Sequence, residues 1–346
     1  MSTRTKIIDL RSDTVTVPTE AMRRAMYEAE VADDSYGGDP TVNRLQELTA
    51  EIVGTEAALL VVSGTMGNLL GLLVNSNPGQ EVILGDESHQ FLWEVGGAAR
   101  VAGLVTHTVP FHRGFMDPLE VEAAVRGPAR EATTTAMVCV ENTSNIGGGL
   151  VIPPEHVASI SKVATRHGLR MHMDGARFFN AVVASGRPTT DFTQYLDTLA
   201  FCLSKGLGAP FGGMLCGSRE AIERAITFRQ MLGGGMRQAG VMAAAGIVAL
   251  ETGIDRMAED HANAKKLALG LAERFPGCCD PDIVETNLFH IRPAVLGYSG
   301  QELMEFLAAE GISIFPGDPK MRFATHNGIS SEDIDEVLSV FDRLGK

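Results

Sequence analysis

Residues 169–177 of the chain are Leu-Arg-Met-His-Met-Asp-Gly-Ala-Arg, and residues 199–208 are Leu-Ala-Phe-Cys-Leu-Ser-Lys-Gly-Leu-Gly. In both stretches a short, largely apolar run leads into a charged residue that is followed by glycine. Such runs are typical of buried strands that end in a turn. Open α/β sheets bind their ligands beyond the carboxyl ends of the strands. We therefore expect Asp174 and Lys205 to lie at a functional site.

Similar runs recur through the first three quarters of the chain, and helical patterns separate them. The predicted strands are residues 57–62, 81–84, 105–109, 135–140, 169–173, 199–203 and 213–216, and the predicted helices include 19–29, 40–53, 153–167 and 219–231. This alternation favours βαβ crossovers and a mainly parallel sheet that helices cover on both faces.

The pattern changes after residue 255. A long helical stretch through residue 274 is followed by strand-like residues 284–291, 312–315 and 322–325 and by helices at 300–309 and 332–344. This segment has the size of a compact α+β unit. We therefore predict a large domain over residues 1–255, which includes an N-terminal arm, and a small C-terminal domain over residues 256–346.

Composition excludes several functional classes. The chain has 346 residues, and 43 acidic against 29 basic residues give a net charge of −14, so the basic surface of a nucleic-acid-binding protein is not expected. No apolar stretch approaches the roughly 20 residues of a membrane-spanning helix, and residues 1–10 lack the apolar core of a secretory signal. Five cysteines without metal-type spacing predict no metal site. We expect a cytoplasmic protein.

A third segment, Ser63-Gly64-Thr65-Met66-Gly67-Asn68, follows a predicted strand and opens an apolar helical run. Its small residues let backbone N–H groups at a helix N-terminus approach a phosphate. Asp174 has the chemistry to stabilise a protonated ring nitrogen of a cofactor and leaves Arg177 free for a bidentate contact with a substrate carboxylate. A buried Lys205 is nucleophilic toward an aldehyde. Together, these three functions indicate a pyridoxal phosphate enzyme.

Each segment also has a simpler interpretation when it is taken alone. The glycine-rich segment also suits a tight turn without a ligand. Asp174 also suits a helix N-cap or an ion pair with Arg177, and Lys205 also suits a strand end where its ammonium extends into water.

Six segments resemble the low-specificity L-threonine aldolases, in the same order over nearly the whole chain. They are Asp9–Thr16, Asp33–Gly37, Ser63–Thr65, Asp174–Arg177, Ser204–Leu207 and Gly233–Gln238. The resemblance implies the aspartate-aminotransferase-like fold of pyridoxal phosphate enzymes (fold type I), with a mainly parallel seven-stranded sheet and a small C-terminal α+β domain. It also implies a homodimer or homotetramer with shared active sites.

The same resemblance assigns roles to individual residues. It makes Lys205 the lysine that binds the cofactor aldehyde and Asp174 the partner of the ring nitrogen, and it places His89 over the cofactor ring. Gly64 and Thr65 would bind the phosphate. The groups that hold the substrate carboxylate would be Ser12, Arg177 and Arg322, and Tyr36 and Arg237 would reach the site from a neighbouring subunit.

Two positions depart from the family pattern. Ser144 replaces a histidine that is associated with the substrate β-hydroxyl, and Gln230 stands where relatives often have lysine. Serine cannot act as a base near neutral pH. The expected reaction is retro-aldol cleavage of a β-hydroxy-L-α-amino acid to glycine and an aldehyde. Because of Ser144, an amino-acid racemase or a β-eliminating lyase remains an alternative, and so does a non-catalytic binding protein of the same fold.

Overall fold

A computed structural model describes residues 6–344 of the chain. The ends of the two predicted domains, at residues 1 and 346, lie outside the described residues, as does most of the N-terminal segment that argues against a secretory signal. No helix in the described part of the chain is long and apolar enough to span a membrane.

A seven-stranded sheet forms the centre of the large domain. Its strands are β1 (Ala57–Val61), β2 (Glu81–Gly85), β3 (Val105–Val109), β4 (Thr135–Glu141), β5 (Arg170–Asp174), β6 (Thr198–Cys202) and β7 (Gly213–Gly217). Their order across the sheet is β1-β7-β6-β5-β4-β2-β3. Strand β7 runs antiparallel to both of its neighbours, and the other pairs are parallel. The predicted mainly parallel sheet is confirmed, and all seven predicted strands are present.

Helices cover both faces of this sheet, which explains why its strands are apolar along almost their whole length. Among residues 6–344 the helices are α1 (Glu20–Glu28), α2 (Pro40–Val53), α3 (Gly64–Asn75), α4 (His89–Leu92), α5 (Gly97–Arg100), α6 (Pro118–Ala124), α7 (Pro154–His167), α8 (Phe178–Ser185), α9 (Thr190–Thr193), α10 (Arg219–Met231), α11 (Gly240–Gly253), α12 (Met257–Arg274), α13 (Gly300–Ala309) and α14 (Ser331–Phe341). Two separate apolar clusters form the core, one with members such as Val138 and Phe201 and one with members such as Leu59 and Leu215.

The C-terminal unit has its own apolar core, built around the antiparallel strands β8 (Leu288–Ile291) and β9 (Met321–Ala324). The N-terminal arm packs on this unit, because Ile8–Asp9 pairs in parallel with Ile312–Ser313. Helix α12 contacts both units: Met257 belongs to a core cluster of the large domain, and Leu267 belongs to the core of the C-terminal unit.

The predicted strand at 284–291 is too long. Only Leu288–Ile291 pairs with β9. Thr286 donates its hydroxyl to the Gly149 carbonyl at 2.6 Å, and the Asn287 amide donates to Asp13 and to the Thr325 carbonyl. The residues just before β8 therefore connect the two units through side-chain hydrogen bonds and do not form part of the strand.

Candidate active site

Asp174 is the last residue of β5, in the middle of the sheet. It lies in register with Glu141 of β4 and Ala200 of β6. Its side chain is buried and accepts two hydrogen bonds, one from the Ala176 N–H at 3.0 Å and one from the Asn68 amide at 2.9 Å. Among residues 6–344 no cationic side chain forms an ion pair with it. Buried carboxylates usually have a cationic partner, so this one is prepared to receive a cationic ligand.

Lys205 lies three residues beyond the end of β6, in a tight loop. The Gly208 N–H donates to the Lys205 carbonyl at 2.8 Å, and Gly208 has a φ of +78°, a conformation that favours glycine. The Thr16 hydroxyl also donates to the Lys205 carbonyl. The positive charge of Lys205 adds to the larger effect of Arg177 in lowering the pKa of Asp13, and it offsets part of the rise in the pKa of His89. No ion pair binds this ammonium within the described range.

Helix α3 begins at the same end of the sheet. Ser63 is its N-cap and accepts a hydrogen bond from the Met66 N–H. Gly64 and Thr65 form the first turn, where backbone N–H groups have no acceptor within the helix. A Cβ at Gly64 would lie 2.5 Å from the Cys202 sulfur, so only glycine lets the helix start this close to β6. The helix therefore offers N–H groups and the Thr65 hydroxyl to an anion.

His89 begins the short helix α4 and is held at two points. Its backbone N–H donates to the Glu141 carboxylate at 2.6 Å, and its ring Nδ1 lies 3.0 Å from the Glu94 carboxylate. The hydrogen bond to Glu94 and the charge of Asp174 raise the pKa of His89. Burial and the neighbouring Asp174 raise the pKa of Glu141 to about 7. The side chain of His89 is 30% exposed. Glu94 binds Nδ1, so Nε2 is the ring nitrogen that does not contact Glu94.

The predicted carboxylate-binding residues form one connected group. Arg177 donates through Nε and Nη2 to both oxygens of Asp13, each at 2.7 Å, and both side chains are buried. The amide oxygen of Asn145 accepts from Nη1 of Arg322 at 2.7 Å and from Nη1 of Arg177 at 3.4 Å. Ser12 is buried beside Asp13. Asp13 occupies Nε and one hydrogen of Nη2 of Arg177, so a bidentate contact with a substrate carboxylate would have to use the edge formed by Nη1 and Nη2. This contact stays a prediction.

Ser144 and Gln230 are both engaged locally. Ser144 is completely buried, and its hydroxyl accepts the Gly147 N–H at 3.1 Å within a loop that returns to β4. A Cβ at Gly114 would lie 2.3 Å from the Ser144 Cβ, so this glycine makes room for the loop. Gln230 packs its side-chain oxygen against Gly235.

Tyr36 and Arg237 lie together, in two segments joined by a hydrogen bond from the Asp34 N–H to the Arg237 carbonyl at 2.9 Å. Tyr36 is 87% exposed, and Arg237 donates to the hydroxyl of Ser35. Neither residue contacts the group around Asp174 in the single chain. Their predicted contact with a neighbouring subunit's site stays a prediction.

Sequence reasoning did not identify four polar residues that organise the site. Asn68 and Glu94 connect Asp174 to His89, Asp13 holds Arg177, and Glu141 binds the backbone of His89. A nitrogen of His89 and carboxylate oxygens of Glu94 and Asp174 lie within 4.8 Å of one another. Asp13 stands in a segment that carries the family resemblance, and Asn68 stands in the glycine-rich segment after β1. Neither segment indicates the partner of its residue, because the partners are distant in the chain.

Comparison with known proteins identifies the family of the chain. A family model described as beta-eliminating lyase matches residues 9–293. Low-specificity L-threonine aldolase 1 of Arabidopsis thaliana is 42% identical over 342 residues, which cover 97% of this chain and 96% of the relative. The low-specificity L-threonine aldolase of Escherichia coli K12 is 41% identical over 334 residues, with 96% and 98% covered.

The solved structure of the threonine aldolase from Leishmania major has a TM-score of 0.81 at 18% identity and covers 97% of this chain and 99% of its own. At this identity the likeness shows the shared fold, that of the pyridoxal phosphate enzymes of fold type I. The family model spans most of the chain, and the two relatives match it over nearly their full length. The chain therefore belongs to the beta-eliminating lyase family and, within it, to the low-specificity L-threonine aldolases.

Proposed function

We propose that this protein uses pyridoxal 5′-phosphate to cleave a β-hydroxy-L-α-amino acid of the threonine or allo-threonine type into glycine and an aldehyde. The observation that carries the proposal is the pairing of two unmatched groups at the ends of adjacent strands. Within residues 6–344, Asp174 is a buried carboxylate without a cationic partner, and Lys205 is a partly buried amine without a carboxylate partner. A cofactor with a cationic ring nitrogen and an aldehyde would satisfy both.

The residues present fit this cofactor. Lys205 would bind its aldehyde, and Asp174 would face its ring nitrogen. Gly64 and Thr65 would hold its phosphate at the start of α3, where the small residue is required by the contact with Cys202. Bound in this way, pyridoxal phosphate supplies an electron sink for the pair released when a bond to the substrate Cα breaks.

The substrate carboxylate would bind near Asn145, where Arg322 and Ser12 lie close to Arg177. Because Asp13 occupies Nε and Nη2 of Arg177, we assign the main charged contact to Arg322 and a supporting one to Nη1 of Arg177. Arg322 is mostly buried and has no carboxylate partner in the described residues, and burial lowers its pKa. A substrate carboxylate would supply the missing charge.

Cleavage requires that a base take the proton of the β-hydroxyl while the Cα–Cβ bond breaks and the aldehyde leaves. Cα then takes up a proton, and glycine is released. We assign the base to Nε2 of His89, because Nδ1 is bound to Glu94. The Ser144 hydroxyl is buried and bound to the Gly147 N–H, which leaves it unsuited to this role.

A second candidate is β-elimination or racemisation, which the description of the matching family model and the serine at position 144 both favour. The two reactions differ from aldol cleavage in their products. Elimination releases ammonia and a keto acid, and racemisation changes only the optical rotation.

The test is to incubate the purified, cofactor-loaded protein with threonine, allo-threonine and phenylserine and to quantify aldehyde and glycine. Equal amounts of both are expected, and release of ammonia or racemisation without aldehyde would contradict the proposal. Lys205→Ala should reduce aldehyde release to background. Lys162→Ala, which changes an exposed lysine on α7, should not.

We further propose a homo-oligomer in which Tyr36 and Arg237 complete the site of a neighbouring subunit. Their exposure in the single chain supports this arrangement. Mixing inactive Lys205→Ala and Arg237→Ala subunits should restore part of the activity if sites are shared. No recovery after subunit exchange would contradict sharing. The cytoplasmic location stays a prediction.

A further inference from the structure

A buried chain of polar side chains is hydrogen-bonded to Asp174. Asn68 of α3 donates both hydrogens of its amide, one to Asp174 at 2.9 Å and one to Glu94 at 2.7 Å. Its oxygen lies 3.1 Å from Nε2 of His172, which precedes Asp174 by two residues on β5. Nδ1 of His172 lies 2.8 Å from the Thr198 hydroxyl of β6.

The hydrogen bonds allow one self-consistent set of donors and acceptors. An amide nitrogen has to face the two carboxylates, because an amide oxygen there would be repelled. The Asn68 oxygen then accepts from Nε2 of His172, so Nδ1 of that ring is unprotonated and accepts the Thr198 hydroxyl proton. The Thr198 oxygen is itself bound by the Asn75 amide at 2.7 Å. Each polar side-chain atom of Asn68, His172 and Thr198 has a partner in this arrangement.

Two features maintain His172 in this form. The ring is completely buried, and burial lowers the pKa of His172 to about 4, so it is neutral at physiological pH. Gly71 lies one turn after Asn68 on α3, and a Cβ there would be 2.3 Å from the Cε1 of His172. The glycine therefore creates the space that the imidazole occupies between α3 and the sheet.

We propose that Asn68 is a positioning residue whose amide, locked in one orientation by its hydrogen bond with His172, directs the Asp174 carboxylate toward the cofactor ring and ties it to Glu94, the partner of His89. The catalytic part of this inference rests on the proposed function. Asn68 touches neither substrate nor cofactor. It acts by joining the carboxylate beneath the ring to the carboxylate that orients the base.

Several ionisable groups surround the two carboxylates. They come from every element packed around them: His89 from α4, Cys139 and Glu141 from β4, His172 from β5, and Cys202 and Lys205 from β6 and the loop after it. The charge of Asp174 contributes to raising the pKa of both Glu94 and Glu141. A hydrogen bond from a neutral amide stabilises a carboxylate without adding another charge.

Asn68→Leu tests the proposal, because leucine has a similar size and no hydrogen-bonding group. In the cofactor-loaded enzyme, the visible absorbance should titrate at higher pH than in the wild type. Without the Asn68 hydrogen bond, the Asp174 carboxylate is no longer fixed and holds a proton, and its positive charge, less firmly on the ring close to Lys205. We expect kcat to fall at least tenfold and KM to change little. Asn263→Leu is the matched control, since Asn263 is a buried asparagine of the C-terminal unit that bonds the Ile329 carbonyl.

An unchanged absorbance titration in Asn68→Leu would overturn the proposal, as would an equal shift in Asn263→Leu. A second measurement does not depend on any variant folding. Nitrogen NMR of the histidine-labelled wild-type holoenzyme should show His172 as a single neutral tautomer protonated at Nε2 from pH 5 to 8. A charged His172 ring or the Nδ1-protonated tautomer would refute the proposed hydrogen bonds through Asn68 and His172. This measurement does not depend on which substrate bond the enzyme breaks. It can therefore refute the role of Asn68 without refuting the proposed function.

Discussion

Replacing Asp13 by asparagine should destabilise the protein and weaken substrate binding at the same time. Asp13 is completely buried and binds Arg177, which is 4% exposed, through two hydrogen bonds of 2.7 Å. Burial acts to raise the pKa of Asp13, but Arg177 more than offsets it and holds that pKa far below its ordinary value. The pair therefore stays ionised at every pH at which the protein is assayed.

The magnitude follows from this geometry. Breaking a buried ion pair by removing one partner costs 3–5 kcal/mol. Asparagine keeps one oxygen acceptor, and Asn145 still binds Arg177, so we expect a loss of about 3 kcal/mol. With a urea m-value of about 3 kcal/mol/M, the unfolding midpoint should fall by about 1 M. KM for the amino acid should rise, because Arg177 is no longer fixed beside Arg322.

Glu81→Gln is the matched control for this experiment. Glu81 is a completely buried carboxylate paired with Arg126 at 2.6 Å, but it lies at the amino end of β2, on the sheet edge opposite the site. Its replacement should lower stability and leave KM unchanged. An unfolding midpoint for Asp13→Asn within error of the wild type, with unaltered KM, would refute the reasoning about the Asp13–Arg177 pair.

Three further changes have defined outcomes. Glu94→Gln removes the charge that raises the pKa of His89, so the acidic limb of the kcat/KM profile should move to lower pH. The pKa of Glu141 is raised to about 7, so between about pH 4.5 and 7 the folded state binds one more proton than the unfolded state. The free energy of unfolding therefore falls as pH rises through that window. Glu141→Gln should remove this pH dependence, which is worth up to about 3 kcal/mol, in urea titrations at several pH values. Gly64→Ala places a Cβ 2.5 Å from the Cys202 sulfur and should raise the dissociation constant of pyridoxal phosphate, measured by equilibrium dialysis.

Each of these has an outcome that would count against it. An acidic limb that stays in place in Glu94→Gln would show that Glu94 does not set the protonation of His89. A pH slope that persists in Glu141→Gln would assign it to another group. Gly127→Ala, at a glycine with open space around it, is the control for Gly64→Ala, and equal cofactor affinity in both variants would remove the phosphate role from α3.

The sequence predicted the sheet well because its signals are local. A buried strand such as β6 requires apolar residues at consecutive positions, and a helix such as α2 shows its start in Asp39 and Pro40, which the structure places at the N-cap and the first turn. Asp174 and Lys205 could be predicted to lie near each other because both follow predicted strands. Neighbouring parallel strands bring their carboxyl ends to one edge of the sheet, and β5 and β6 are such neighbours.

The supporting residues could not be predicted in the same way. Asn68 binds Asp174 across 106 positions of the chain, and Asp13 binds Arg177 across 164. Nothing in the neighbourhood of Asn68 distinguishes it from an asparagine that ends a turn. The segment around Arg177 likewise does not indicate Asp13, because this partner comes from the N-terminal arm.

The most direct test of the account is to identify the residue that binds the cofactor. The purified protein is loaded with pyridoxal phosphate, reduced with borohydride, digested and analysed by mass spectrometry. We expect one modified peptide, which carries the reduced cofactor on Lys205. Modification of a different lysine, or none at all, would contradict it.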